Sequence, residues 1–99
     1  MKTPTQRYTA RRRLKRKAVD DIKLGIGCQG VDCQWVGPFA PEMLQFNHID
    51  PGTKLLSVSQ LVSNDRNMDI ILEEIDKCEV LCANCHATET RRQNDERYG

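Results

Sequence analysis

Two pairs of cysteines restrict the fold of this chain more than any other feature. Cys28 and Cys33 enclose four residues that include Gly30, and Cys82 and Cys85 enclose two. Structural zinc sites need four ligands in a tetrahedron, which proteins commonly supply as two pairs at such spacings. The pairs lie about fifty residues apart, so one shared ion would hold both ends of a 99-residue chain together and would add to its folding free energy.

The second pair by itself leaves three interpretations open. The segment from Cys82 to His86 fits c-type haem attachment, a redox dithiol or half of a zinc site. We expect a cytoplasmic protein with reduced thiols, because no apolar segment of about 7–15 residues follows the basic N-terminus and no run approaches roughly 18 apolar residues. This argues against haem, and no βαβ context supports a thioredoxin-like dithiol. Structural Zn²⁺ bound by all four paired cysteines remains, with Cys78 interpreted as a core residue.

The charge of the chain is distributed unevenly. Residues 1–23 carry nine Lys/Arg and two Asp, whereas residues 24–99 carry six Lys/Arg and twelve Asp/Glu. Such asymmetry between segments is typical of nucleic-acid contact. On a helix the basic residues would form i,i+4 rows while Leu14 and Ala18 face inward. The sequence therefore predicts that this basic arm contacts nucleic-acid phosphates, the alternative being a solvated helix face, through Arg11, Arg12, Arg13, Lys15, Arg16 and Lys17.

Hydrophobic periodicity and turn residues predict a small α+β domain, too short for a layered sheet. Residues 1–24 are expected to form the basic N-terminal arm and helix, and residues 25–99 the zinc-stapled domain. In the first half of the chain we predict disordered residues 1–7, a helix from Tyr8 to about Lys23, a strand from Glu42 to Ile49 and a turn at Asp50-Pro51-Gly52. An irregular connection follows, with Leu55, Val58, Leu61 and Val62 as apolar anchors. The remaining predicted elements are a helix from Met68 to Lys77, a short strand at Val80 and Leu81, and a last helix that begins inside the second cysteine pair.

The helix predicted at residues 68–77 is amphipathic, and Asn67 is its predicted N-cap. Its apolar residues are expected to form the buried face, namely Met68, Ile71, Leu72 and Ile75. The opposite side is acidic and is expected to be solvated, with Asp69, Glu73, Glu74 and Asp76.

Several segments together resemble the HNH endonuclease family, in particular its small stand-alone members, which phages often encode. They are the pair Cys28/Cys33, "LQFNHIDPGTK" at 44–54, "LEEIDKCEVLCANCH" at 72–86 and the helix that follows, so the resemblance covers roughly residues 25–92. It implies a treble-clef-like ββα-metal fold, in which two short strands and a helix hold one divalent ion and four cysteines hold a separate zinc. It also implies a hydrolase that cuts phosphodiester bonds in DNA.

The resemblance implies a role for each matching residue. His48 would be the general base, since an imidazole can accept a proton from water near neutral pH. Asn47 and His86 would bind the catalytic ion, Mg²⁺ or Mn²⁺, at the scissile phosphate. The zinc held by the four cysteines would do no chemistry.

Three positions depart from the family pattern. The residue before the base is usually Asp or His, and Asn47 is a weaker ligand for a hard cation than a carboxylate. Thr90 occupies the place of a second helix histidine, and the family's middle Asn is replaced near Lys77. In addition, Asn47 and His48 are neighbours on a strand, where successive side chains point to opposite faces.

These departures keep two other interpretations open. One is a zinc-stabilised nucleic-acid-binding module without catalysis. The other is an interaction subunit of a larger complex, such as a phage DNA-packaging motor, in the cytoplasm of the host cell. The expected partner is DNA, with no membrane. Asp50 is interpreted as the first residue of the turn rather than as a metal ligand.

Overall fold

The structure, a computed structural model, describes residues 3–31, 33–34 and 37–98. It is a small α+β arrangement, as the sequence predicts. The elements are α1 (Pro4–Ile26), a 3₁₀ turn (Pro41–Met43), β1 (Leu44–His48), a second 3₁₀ turn (Pro51–Thr53), α2 (Val58–Ser63), α3 (Met68–Asp76), β2 (Cys78–Cys82) and α4 (Ala83–Tyr98). Neither the long helix α1 nor any other helix in these ranges is apolar over a length that could cross a bilayer.

Strands β1 and β2 pair antiparallel in a register that runs from Leu44 opposite Cys82 to His48 opposite Cys78. The short strand predicted at Val80 and Leu81 is confirmed and is longer than expected. Residues that lie opposite each other in a ladder share a face, and successive residues alternate between faces. The register therefore sets His48 on one face of the sheet and Asn47 on the other.

Two apolar clusters stabilise the fold. The first joins the three helices α1, α2 and α3, and contains Val19, Val58, Leu61, Val62, Ile71 and Ile75. The second surrounds the paired cysteines. Its buried residues are Leu44, Val80 and Cys82, and Cys28, Cys33, Phe39 and Cys85 pack against them. Phe46 contacts both clusters, so the helical half and the cysteine half are packed as one unit.

The first helix begins at Pro4, so the prediction of disorder through residue 7 and a start at Tyr8 is wrong for the described residues. Thr3 caps the helix by accepting a hydrogen bond from the Gln6 amide, while the Gln6 side chain accepts from the Thr3 amide. Gly27, with a φ of 73°, closes its C-terminus after Ile26, about three residues beyond the predicted end near Lys23. Leu14, predicted to face inward, is 70% exposed.

The connection predicted to be irregular contains helix α2, capped by Ser57, whose side chain accepts from the Gln60 amide at 3.1 Å. Helix α3 begins after Asn67 as predicted, with the Asn67 side chain accepting from the Asp69 amide. The assignment of its faces is wrong at two positions. Leu72 is 41% exposed, whereas Glu74 is 1% exposed and faces the sheet.

Candidate metal centre and histidine site

The predicted convergence of the four paired cysteines is confirmed. The Sγ atoms of Cys28, Cys33, Cys82 and Cys85 all lie within 4.8 Å of one another. With zinc–sulfur bonds of about 2.3 Å, a regular tetrahedron has sulfur–sulfur edges of about 3.8 Å. The Sγ atoms of Cys33 and Cys82 are 3.9 Å apart, so the cluster has the dimensions of a structural zinc site.

Backbone hydrogen bonds place the first cysteine pair against strand β2. The Gln29 amide donates to the Val80 carbonyl at 2.7 Å, and the Gln29 side chain accepts from the Val80 amide at 2.8 Å. These bonds extend the edge of β2 that does not pair with β1. As a result, the Cys28 sulfur lies where it accepts from the amides of Gly30 and Cys82, at 3.4 and 3.2 Å.

The surroundings of the cysteines favour thiolate at one position and oppose it at another. A hydrogen bond from the Cys85 backbone amide lowers the pKa of Cys82 to about 7. Burial raises the pKa of Cys85. Four sulfurs at this spacing cannot all be ionised without a cation among them, since like charges in a partly buried site repel strongly. A bound divalent cation removes that conflict, and its binding would release protons.

Gly30 is required by the close approach of Cys85. A Cβ atom at residue 30 would lie 2.6 Å from the Cys85 sulfur and 3.0 Å from its Cβ. We expect Gly30→Ala to displace Cys85, weaken zinc binding and destabilise the fold by about 1–3 kcal/mol, the usual cost of overpacking. Zinc release to a colorimetric chelator and the denaturant midpoint of unfolding measure both effects.

Gly25→Ala is the matched control for Gly30→Ala, because no atom outside the adjacent backbone of its own helix lies within 4 Å of the added methyl group. Residue 25 is in the last turn of α1, where alanine favours the helix by up to about 1 kcal/mol relative to glycine. Equal zinc retention by the Gly25 and Gly30 variants would contradict the steric argument.

The candidate base, His48, lies at the end of β1 and is 8% exposed. Its Nε2 lies 2.9 Å from Oε1 of Glu74 on helix α3. The following turn is tied to the same helix by the Ile49 amide, which donates to the Lys77 carbonyl at 3.0 Å. Asp50 accepts from the Gly52 amide at 2.9 Å, which agrees with its interpretation as a turn residue.

The two candidate ligands of the catalytic ion belong to the opposite face of the sheet. Asn47 lies across from Glu79 in the ladder, and its Nδ2 is 3.4 Å from Oε1 of Glu79. His86, on α4, forms a hydrogen bond through Nδ1 with the side chain of Gln45, two residues before Asn47 on the same face. The structure thus places Asn47 and His86 on one side of β1 and does not bring His48 to join them.

Two cavities lie in the part of the chain that the structure describes. One cavity of about 870 Å³ lies beside the cysteines and is lined by Ile49, Glu79 and Arg92 among others. A second, of about 560 Å³, lies between α1, β1 and α2. Neither of these two cavities is lined by His48 or His86.

The basic arm divides into residues with internal partners and residues without. Arg11 and Lys15 form ion pairs with Asp65 at 2.9 and 2.7 Å, and they lower the pKa of that carboxyl, Lys15 most strongly. Lys17 pairs with Asp21 at 3.0 Å. The Arg12 guanidinium lies 4.5 Å from the centre of the Tyr8 ring.

Arg13 and Arg16 are exposed and form no hydrogen bond or ion pair with the described residues. Tyr8 is also anchored within the fold, since its hydroxyl donates to the Ser63 carbonyl at 2.8 Å. Of the six predicted phosphate-binding residues, Arg13 and Arg16 therefore have the most freedom to contact a ligand.

Sequence reasoning missed two anchoring acids. Glu74 was assigned to the solvated face of its helix, although it holds His48, the Leu55 amide and Lys77. Asp65, which forms ion pairs with the basic arm, lies in no predicted helix or motif. It has a φ of 53°, a backbone conformation that Asp adopts more readily than most residues. In the described ranges, the four cysteines are the one group of three or more His, Cys, Asp or Glu whose ligand atoms come close enough to share an ion.

Comparisons of the chain with protein-family models, with curated proteins and with solved structures found no match.

Proposed function

We propose that this chain is a zinc-stabilised, metal-dependent DNA endonuclease of the HNH type. The observation that carries the proposal is the pairing of His48 with the buried carboxylate of Glu74 at 2.9 Å. Enzymes that use histidine as a general base often orient it through a carboxylate on the far ring nitrogen. His48 also lies at the end of a strand, next to an exposed turn.

Zinc fits the cysteine cluster as a structural ion. The donor set is four sulfurs, and a four-cysteine site leaves no open coordination position for substrate. The cluster joins β2 and α4 to the segment that follows α1. Its contribution to function would be rigidity, since it fixes the strand that carries Glu79 and the helix that carries His86.

The divalent ion would be held by few protein atoms. Asn47 Oδ1 and the Nε2 of His86 remain for a ligand once their other atoms are bound to Glu79 and Gln45. Mg²⁺ commonly takes one or two carboxylates and completes its shell with water and phosphate oxygens, and Glu79 is the carboxylate nearest to Asn47 in the ladder. Such an ion would polarise the scissile phosphate and stabilise charge on the leaving 3′ oxygen.

In this proposal His48 removes a proton from the attacking water. The water oxygen forms a bond to phosphorus while the bond from phosphorus to the 3′ oxygen breaks, and the leaving oxygen is protonated by solvent. General-base catalysis of this kind contributes about 10²–10⁴-fold to a rate. The exposed arginines of α1 would hold the DNA backbone without reading its sequence.

Supercoiled plasmid tests the proposal. The zinc-loaded protein is expected to convert it to the nicked or linear form when Mg²⁺ or Mn²⁺ is added and to leave it intact when both are omitted. Omission is preferable to EDTA, because a chelator would also remove zinc and unfold the protein. Retention of intact plasmid with each ion, by protein that binds the same DNA, would refute the nuclease.

The exposed pair on the arm gives a separate prediction. Replacing Arg13 and Arg16 together with Ala should weaken DNA binding and reduce the slope of log affinity against log salt by about 1.8, since each phosphate contact contributes about 0.9. Binding to a labelled duplex over a series of salt concentrations measures the slope.

The matched control removes the same charge from the same helix, through Arg11→Ala and Lys15→Ala. Because both cations are paired with Asp65, we expect this variant to lose thermal stability and to change the salt slope less. A slope unchanged by the loss of Arg13 and Arg16 would contradict their role as phosphate contacts.

A second candidate function is a zinc-stabilised DNA-binding module that does not cut. It is favoured by the placement of His48 and His86 on opposite faces of the sheet, and by a neutral amide at residue 47. It predicts salt-dependent DNA binding without nicking under any of the conditions above. The interaction subunit of a phage DNA-packaging motor would behave in the same way until its protein partner is added.

A further inference from the structure

The carboxylate of Glu74 is enclosed and satisfied on every side that the structure describes. The residue is 1% exposed. Oε1 accepts from His48 Nε2 and from the Leu55 amide, both at 2.9 Å. Oε2 lies 3.1 Å from the Lys77 ammonium, which also donates to the Thr53 carbonyl at 3.0 Å. The acid therefore connects helix α3 to the end of β1 and to the turn that follows it.

Glu74 is ionised at neutral pH. Burial opposes ionisation, but the hydrogen bonds from Leu55, His48 and Lys77 outweigh it and lower the pKa of Glu74 to about 2. An ionised carboxylate can only accept hydrogen bonds. The nitrogen of His48 that faces it must therefore carry a hydrogen.

This fixes the arrangement of the His48 ring. In a neutral imidazole one nitrogen carries the hydrogen and the other carries the lone pair, so a hydrogen on Nε2 leaves the lone pair on Nδ1. Nδ1 has no hydrogen-bond partner among the described residues. If Nδ1 were also enclosed by the protein, it would be a buried side-chain nitrogen without a partner. Among the described residues only Arg12 Nε is such an atom, so Nδ1 is not enclosed. Nδ1 thus keeps contact with solvent.

We propose that Glu74 is a positioning residue that holds His48 as the Nε2–H tautomer and presents Nδ1 as the proton acceptor. The tautomer follows from the 2.9 Å contact between Nε2 and the ionised Glu74 carboxylate, whereas its use in catalysis rests on the proposed function. Glu74 touches neither water nor DNA in this scheme; it acts through the ring that it orients. Without it the ring could rotate or exchange tautomers, and the lone pair would face the protein for part of the time.

The ring nitrogens of His48 can be observed directly. The chain has two histidines, so two-bond ¹H–¹⁵N correlation spectra of the ¹⁵N-labelled, zinc-loaded protein contain two imidazole patterns, and His48→Gln identifies the one from His48. Spectra at rising pH, taken until the doubly protonated pattern disappears, are expected to show the Nε2–H form. An Nδ1–H form in the wild-type protein would overturn the proposal, and this measurement needs no variant to fold.

Glu74→Gln tests whether the acid sets the tautomer. Its carboxamide has nearly the same size and can offer either its oxygen or its NH₂ group to the ring, so we expect a mixture of tautomers. An unchanged Nε2–H pattern in this variant would show that another group sets it, and would also overturn the proposal. Backbone amide spectra, compared with those of the wild-type protein, confirm that the variant is folded.

The catalytic consequence is a loss of turnover with little change in plasmid binding. Replacing the orienting Asp of a catalytic histidine with Asn costs about 10⁴-fold where the wrong tautomer results. Because a mixture is expected here, we predict a smaller decrease in kcat, of at least about tenfold, with KM unchanged.

The outcomes separate the two proposals. Wild-type protein that shows the Nε2–H form but does not nick would refute the nuclease and leave the role of Glu74 in the ring intact. Nicking at the wild-type rate by a variant with altered tautomers would refute the positioning role and leave the nuclease intact.

Discussion

Cys82→Ser is expected to leave the chain without zinc and unfolded at room temperature. Cys82 is buried at the centre of the cluster, where its sulfur lies 3.9 Å from that of Cys33 and its amide donates to Cys28. Structural zinc supplies about 10–16 kcal/mol of apparent binding free energy in zinc-finger peptides near pH 7. A folded domain is stable by only about 5–15 kcal/mol in total, so loss of the ion should exceed the stability margin.

Elemental analysis and circular dichroism check this result. The wild-type protein should contain one zinc per chain and lose its cooperative unfolding transition when zinc is removed. Cys78→Ser is the matched control, because Cys78 lies outside the cluster and its thiol donates to the Glu74 carbonyl at 3.3 Å, a bond that a hydroxyl group can replace. Its zinc content should remain at one per chain. A folded Cys82→Ser protein, or a zinc-free wild-type protein, would contradict the role of the cluster.

The second large effect is expected at His48. His48→Gln should reduce plasmid nicking by about 10²–10⁴-fold, equivalent to about 3–5 kcal/mol of transition-state stabilisation, because no group in its place could accept the proton of water near neutral pH. Glutamine is preferable to alanine. Its amide can still donate to Glu74, whereas alanine would leave a buried carboxylate with one partner fewer, at a cost of about 1–3 kcal/mol.

Thermal unfolding of the His48→Gln protein and its affinity for the same plasmid serve as controls. Both should remain close to the wild-type values, since glutamine can keep the hydrogen bond to Glu74 and His48 is not one of the predicted phosphate contacts. If the variant nicks DNA at the wild-type rate, the activity comes from another residue or from a contaminating nuclease, and His48 is not the base.

The parts of the fold that sequence reasoning predicted are those with local signals. The spacing of Cys28 and Cys33 and of Cys82 and Cys85 is a property of two short turns, and it correctly predicted the cluster. The cap at Asn67 is likewise a local hydrogen bond, to an amide two residues away.

The start of α1 and the whole of α2 were missed although their signals were local as well. Helices α1 and α2 both begin with a capping box, at Thr3 with Gln6 and at Ser57 with Gln60. A hydroxyl residue followed three positions later by Gln or Glu is a recognised start of a helix, because each side chain satisfies an amide of the other. Greater attention to that pattern would have corrected the start of α1 and the description of residues 58–63.

The sequence by itself determined that four sulfurs meet, that two strands flank them and that the first helix is strongly basic, because residue type and short-range spacing are enough to produce these features. Only the tertiary structure decided which charges are internal. Glu74 was buried by the approach of β1 and of the segment at Leu55, Asp65 was paired with Arg11 and Lys15 by the packing of α1 on α2, and the two histidines were separated by the pairing of β1 with β2. Each of these outcomes depends on partners that pack together only when distant segments of the chain meet. The sequence of an amphipathic helix does not show which of its polar side chains will find hydrogen-bond partners in the folded protein.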